Sequence, residues 1–374
     1  MAEVRVSYAP TEETTLLRNT AREFLSNRLP IATVREMMMT PDGFDRAVWK
    51  EMAELGWVGL AIPEEHGGAG YGTTELSVIF EEMGRMVTPG PFFATVGLAV
   101  PVILGLADEA QKSGLLPGIA AGEIIATVAA FEGSRDWGLE NVETTATRDG
   151  DGWVLEGVKP HVLDGHLADL ILVVARTDQG LAVFPVGAGA DGLTVEQVDV
   201  LDPTRRQATV TLEGVRAAAP LGSGPAGDAL SRALGVASAL LACEQAGGAQ
   251  RCLEMSTEYA KTRHQFGRPI GSFQAVKHRC AQMLVKVEHA RSVAYHAVRV
   301  TEDPAEFAIA APLAASVASE SYVWAAGENI QIHGGIGFTW EHDAHLYLKR
   351  AKSSSLLLGD PRYHRRTLGD ALGL

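Results

Sequence analysis

The chain has 374 residues, 46% of them hydrophobic and 21% charged, enough for two or three packed modules with a real core. Its formal net charge of −14 and pI near 5.3 exclude a nucleic-acid-binding or anionic-membrane surface, because the mean field repels either polyanion. Three cysteines, Cys243, Cys252 and Cys280, lack CxxC spacing and indicate neither zinc nor a disulfide framework; with no signal-like start and no membrane-length apolar run, they predict a cytoplasmic, soluble protein without a metal site.

The first third reads as helices. Thr11 is placed to cap a helix whose first turn carries Glu12 and Glu13, carboxylates that suit the positive end of the helix dipole. Val48, Met52 and Leu55 recur at helical spacing, with Gly56 as the stop. The segment AIPEEHGGAGYGTTE, residues 61–75, predicts a loop before an amphipathic helix over 76–86.

After Gly122 the composition changes. IIATVAAF, WVLEGV, LILVVAR, LAVFPV, LTVEQVDVL and ATVTLEGV are short β-prone runs separated by turn-forming residues, which predicts a sandwich or small barrel. Residues 216–229 read as a linker. Long Ala/Leu-rich helices follow over 230–262, 274–300 and 306–330, interrupted by RHQFGRPIGSFQ (263–274) and QIHGGIGFTWEHD (331–343). The expected fold class is α+β, mostly α: an N-terminal helical domain (1–121), a middle β domain (122–222) and a C-terminal helical bundle (223–374).

No GxGxxG after a strand, P-loop, HExxH or GxSxG is present. The two interruptions carry the chemistry that remains. Arg263 offers a charge-assisted donor for a phosphate and Phe266 a flat apolar face three positions on, unless the pair is a helix-end charge and a core ring. Gly334, Gly335 and Gly337 let backbone N–H groups approach a ligand, or else form a tight helix–helix turn.

Five stretches together resemble the acyl-CoA dehydrogenase family over nearly the whole chain: ELGWVGLAIPEEHGGAGYG, GVKPHVLDGHLADLILVVAR, EYAKTRHQFGRPIGSFQAVKHRCAQM, ENIQIHGGIGFTWEHDAHLYLKRAK and the short C-terminal helix. The resemblance implies a helical domain, a β domain and a four-helix domain, assembled as a dimer or tetramer. It implies FAD held between the last two domains and completed by a neighbouring subunit. Arg263, Gln265 and Phe266 would contact FAD across that dimer, and Gln331, Gly334 and Gly335 would hold its pyrophosphate and adenosine half. The implied reaction is α,β-dehydrogenation of an acyl-CoA thioester: a carboxylate takes the α proton, hydride goes to flavin N5, and electrons pass to an electron-transfer flavoprotein.

The chain departs from the family's pattern in two places. Leu358 stands where the usual glutamate base precedes a glycine, and Ala237 where some relatives place it instead. Glu244, a carboxylate among Leu240, Leu241, Ala242 and Cys243, and Asp360 are the substitutes within reach; burial would raise the pKa of such a Glu244. In the β domain, His161, Val162, Leu163 and Asp164 replace a flavin-facing Trp-Ile-Thr-Asn, and the segment flanking flavin survives only as Glu132, Gly133 and Ser134. Two expectations follow: a dehydrogenase of a bulky or branched acyl-CoA, or a non-catalytic subunit that completes the FAD site of a base-bearing paralogue in a heterotetramer.

Overall fold

A computed structural model describes residues 11–133 and 137–374. Among the described residues six α-helices come first: α1 (Glu12–Arg28), α2 (Ile31–Met37), α3 (Arg46–Glu54), α4 (Thr73–Arg85), α5 (Val100–Leu106) and α6 (Glu109–Ala120). Thr11 caps α1, its hydroxyl accepting from the Thr14 amide at 3.1 Å. Val48 and Met52 of α3 are buried, whereas Leu55 lies past the last turn and is exposed. A wider π-helical turn, Phe93–Ala99, leads into α5, and its Thr95 hydroxyl meets both the amide and the carbonyl of Ala126.

Among the described residues seven strands follow as one curled sheet: β1 (Ala126–Ala129), β2 (Thr145–Asp149), β3 (Gly152–Leu163), β4 (Leu170–Thr177), β5 (Gly180–Gly187), β6 (Leu193–Val198) and β7 (Gln207–Ala217). The order is β1-β4-β2-β3-β7-β6, with β5 also on β4. Only β1 and one residue of β2 pair with β4 in parallel; the remaining ladders are antiparallel. The β3–β7 register slips between Lys159 and Val162, and this bulge re-aims the end of β3.

The chain then returns to helix with α7 (Gly227–Thr262), a two-residue hairpin of β8 (His264–Gln265) and β9 (Arg268–Pro269), α8 (Gln274–Arg299), α9 (Pro304–His333), α10 (Ala344–Ser354) and α11 (Pro361–Ala371). The first helical block packs hard against α7. A Cβ on Gly84 would lie 1.9 Å from the Glu244 carbonyl, and one on Gly247 1.9 Å from that of Glu81, so two glycines let α4 and α7 cross with backbones in contact. Among the described residues no helix is long and apolar enough to cross a membrane.

Candidate active site

The end of β3, the start of β7, α7 and the segment joining α10 to α11 enclose a cavity of about 730 Å³. Leu98, Leu234 and Leu356 to Leu358 give it an apolar end, and Phe131, Trp137 and residues 160–163 form walls. His161, Gln207, Asp199 and Ser355 put polar groups on its rim. An apolar cleft of this volume with few polar groups suits a flat heteroaromatic ring plus the reacting end of an acyl chain.

His161 holds a left-handed backbone (φ 58°), and its Nδ1 lies 3.0 Å from Gln207 Oε1 across the bulge. Asp164, three residues on, is also left-handed (φ 47°) and buried, with its Oδ1 unpartnered. Burial pushes this carboxyl up to about 7, against the pull of Arg205, Arg350 and Arg206. The folded state therefore holds a proton that the unfolded chain releases at ordinary aspartate pH. The stability this contributes is present at low pH and lost as pH rises through about 7. Asp164→Asn keeps the shape and tolerates the left-handed backbone. Relative to the parent chain it should gain roughly 2–3 kcal/mol between pH 5 and pH 8 in denaturant titrations; a difference independent of pH would contradict this.

Glu244 does not sit alone among apolar neighbours, as its sequence context suggested. Its two oxygens each lie 2.6 Å from Arg205 Nη2, and Oε1 also accepts from Arg350 Nη1 at 3.0 Å. Arg350, 1% exposed, continues to Asp202 at 2.7 Å and to the carbonyls of Thr204 and Thr88. Arg205 donates to Ser354 Oγ and stacks over Phe93. Asp360 is also occupied, capping α11 by accepting from the amides of Arg362 and Tyr363 at 2.9 and 2.8 Å. Neither carboxylate is among the residues that line the cavity, whereas Leu358 is.

The six residues expected to hold FAD gather at the far ends of α7 and α9. Arg263 ends α7; Gln265 and Phe266 form the exposed β8–β9 turn, where Phe266 takes a left-handed backbone (φ 54°) with 91% of its surface open. Gln331 is exposed near the end of α9, and Gly334 (φ 65°) and Gly335 follow with nothing within 4 Å of an added Cβ. Tyr259 of α7 stacks on His333 of α9 at 4.3 Å, which brings the two loops to the same end of the bundle. None of the six lines the cavity. Ser134 lies outside the described residues.

Fold and site together define a three-part scaffold of helical domain, curled sheet and helical bundle with an apolar cavity between the sheet and the bundle. Family models for the acyl-CoA dehydrogenase N-terminal, middle and C-terminal domains match residues 11–123, 132–214 and 227–373. Acyl-CoA dehydrogenase IpdE2 of Mycobacterium tuberculosis is 36% identical over 96% of this chain and 97% of its own length. The solved Tcur3481-Tcur3483 steroid ACAD variant is similar at 34% identity with a TM-score of 0.88, covering 97% of this chain and 98% of its own. The ChsE4-ChsE5 complex of M. tuberculosis is similar at 29% identity with a TM-score of 0.90, covering 98% and 99%. The chain belongs to the acyl-CoA dehydrogenase family, FAD-dependent oxidoreductases of acyl-CoA thioesters, and FAD is its cofactor.

Proposed function

We propose that this chain takes part in α,β-dehydrogenation of an acyl-CoA as the subunit without a base, completing the FAD site of a base-bearing paralogue in a heteromeric assembly. FAD, when bound, supplies the acceptor for the β hydride. The α proton needs an acceptor of its own, and the observation that carries the proposal is where the candidate carboxylates stand, the cavity-lining Asp199 being exposed to solvent at the rim. Leu358 occupies the cavity wall, Glu244 is bound by two guanidiniums, and Asp360 caps a helix. A carboxylate whose oxygens are both engaged by guanidiniums, away from the cavity lining, is not placed to meet the α carbon of a bound acyl group.

The second support is the exposed end of the bundle. Phe266, Ile336, Phe338 and Trp340 leave 91%, 49%, 79% and 55% of their surfaces open beside Arg263 and the glycine pair. Aromatic and arginine groups grouped in this way suit a subunit interface that closes over a dinucleotide. Arg263 would meet a phosphate, Gln265 and Phe266 the ring system, and Gln331, Gly334 and Gly335 the pyrophosphate and adenosine half. The two-chain names of the similar structures, one of them a steroid ACAD, favour a paralogous partner and a bulky acyl group. The electrons would leave to an electron-transfer flavoprotein.

The test is to purify the chain alone and co-expressed with a paralogue that carries the glutamate. Each preparation is then titrated anaerobically with acyl-CoAs while the flavin spectrum is followed. Bleaching only in the co-expressed preparation is expected; bleaching of the chain alone would establish a self-sufficient dehydrogenase instead.

A further inference from the structure

Lys159 is fully buried in β3, immediately before the bulge that turns residues 160–163 into the cavity wall. Its Nζ donates to the Ala130 carbonyl at 3.1 Å and to Glu132 Oε1 at 2.5 Å. Glu132 in turn accepts from the backbone: its Oε2 from the Glu143 amide at 2.6 Å and its Oε1 from the Thr144 amide at 2.8 Å. Between the two residues that Lys159 grips lies Phe131, and Gly133 follows; both line the cavity. Trp137 lines it too and ties the same wall to the C-terminal segment, its Nε1 donating to the Leu356 carbonyl at 3.0 Å.

We propose that Lys159 is a positioning residue that fixes the Phe131–Gly133 wall of the cavity and, through the Glu132 carboxylate, locks the Glu143–Thr144 backbone to the same point. Its ammonium forms an ion pair with the part-buried Glu132 carboxylate while being itself fully buried. An ammonium carries three donors on a flexible stem, so it holds a carbonyl and a carboxylate at once, which a methylene chain cannot. Burial lowers the Lys159 ammonium to about 8, with Glu132 opposing, so it is charged where the pair is needed. A buried cation is costly unless paired, and its placement beside the cavity argues for a task beyond packing. The inference rests on the reading that this cavity serves the flavin and thioester, but its test does not require either ligand.

The experiment compares Lys159→Met, Glu132→Ala and the double variant of the full chain by hydrogen–deuterium exchange, and by tryptophan emission with Trp137→Phe as the subtraction control. Each single variant should raise exchange at Glu143 and Thr144 at least tenfold and shift the Trp137 emission. The double variant should do no more than either, and the amides of β4 other than that of Arg176, which donates to the Thr144 carbonyl, should keep their protection. Exchange at 143–144 that is unchanged in Lys159→Met, rises equally throughout the sheet, or adds up in the double variant would overturn the proposal. Because no flavin enters these readouts, their failure is separate from failure of the heteromeric reading, which the anaerobic titration decides.

Discussion

Glu244→Gln should lower the stability of the protein by about 3 kcal/mol, a fall in Tm of roughly 4 °C for a chain of this length, without abolishing flavin reduction in the assembled enzyme. The reason is the pair of guanidiniums that meets this carboxylate. Among the described residues Arg205 forms no other carboxylate ion pair, and with a neutral amide opposite it, a cation only 6% exposed loses its paired counter-charge. Arg350 retains Asp202 and so suffers less. A double variant, Glu244→Gln with Arg350→Met, should therefore cost less than the sum of the two single changes, since the two residues share one network. Differential scanning calorimetry and anaerobic titration of the same preparations separate the alternatives. If turnover disappears while the melting curve stays unchanged, Glu244 is the proton acceptor after all.

The helices and strands of this fold were legible because they follow from periodicity and punctuation. The short β-prone runs between turns, the Thr11 cap and the long Ala/Leu-rich stretches reappear as the curled sheet, α1, α7, α8 and α9, within a few residues at their ends. The loops beside Arg263 and Gly334 were legible as interruptions of helix. Leu55 shows the limit of such spacing: it falls on the helical stripe but belongs to the capping turn, and it is exposed.

What escaped the sequence was the pairing of charges over long separations. Glu244 looks solitary because its partners come from positions 39 and 106 residues away, Arg205 in the loop before β7 and Arg350 on α10. Local context described its apolar neighbours correctly and gave no sign of its counter-ions. The same holds for Lys159 and Glu132, 27 residues apart and joined only when β3 lies beside the exit of β1. A lysine inside a β-prone run was the one available signal, because a buried ammonium requires a carboxylate.

At the exposed end of the bundle, two substitutions should cut FAD affinity in the assembled protein while leaving the fold intact. Arg263→Ala removes a guanidinium whose backbone alone does the structural work: its amide donates to Tyr259 O and its carbonyl accepts from Ile270, both at 2.8 Å, and alanine keeps both bonds. Loss of a charge-assisted contact to a phosphate should weaken binding about 10- to 100-fold. Phe266→Gly makes the sharper distinction. The left-handed backbone at this position strains phenylalanine and suits glycine, so a ring with no ligand to meet could be removed with unchanged or slightly higher Tm and no other effect. If the ring instead stacks on the cofactor across the interface, the same variant should be as stable as the parent yet lose FAD on gel filtration, with affinity down at least tenfold by fluorescence titration. Full retention of FAD by both variants would place the cofactor away from this end of the bundle and remove the main support for a site shared between subunits.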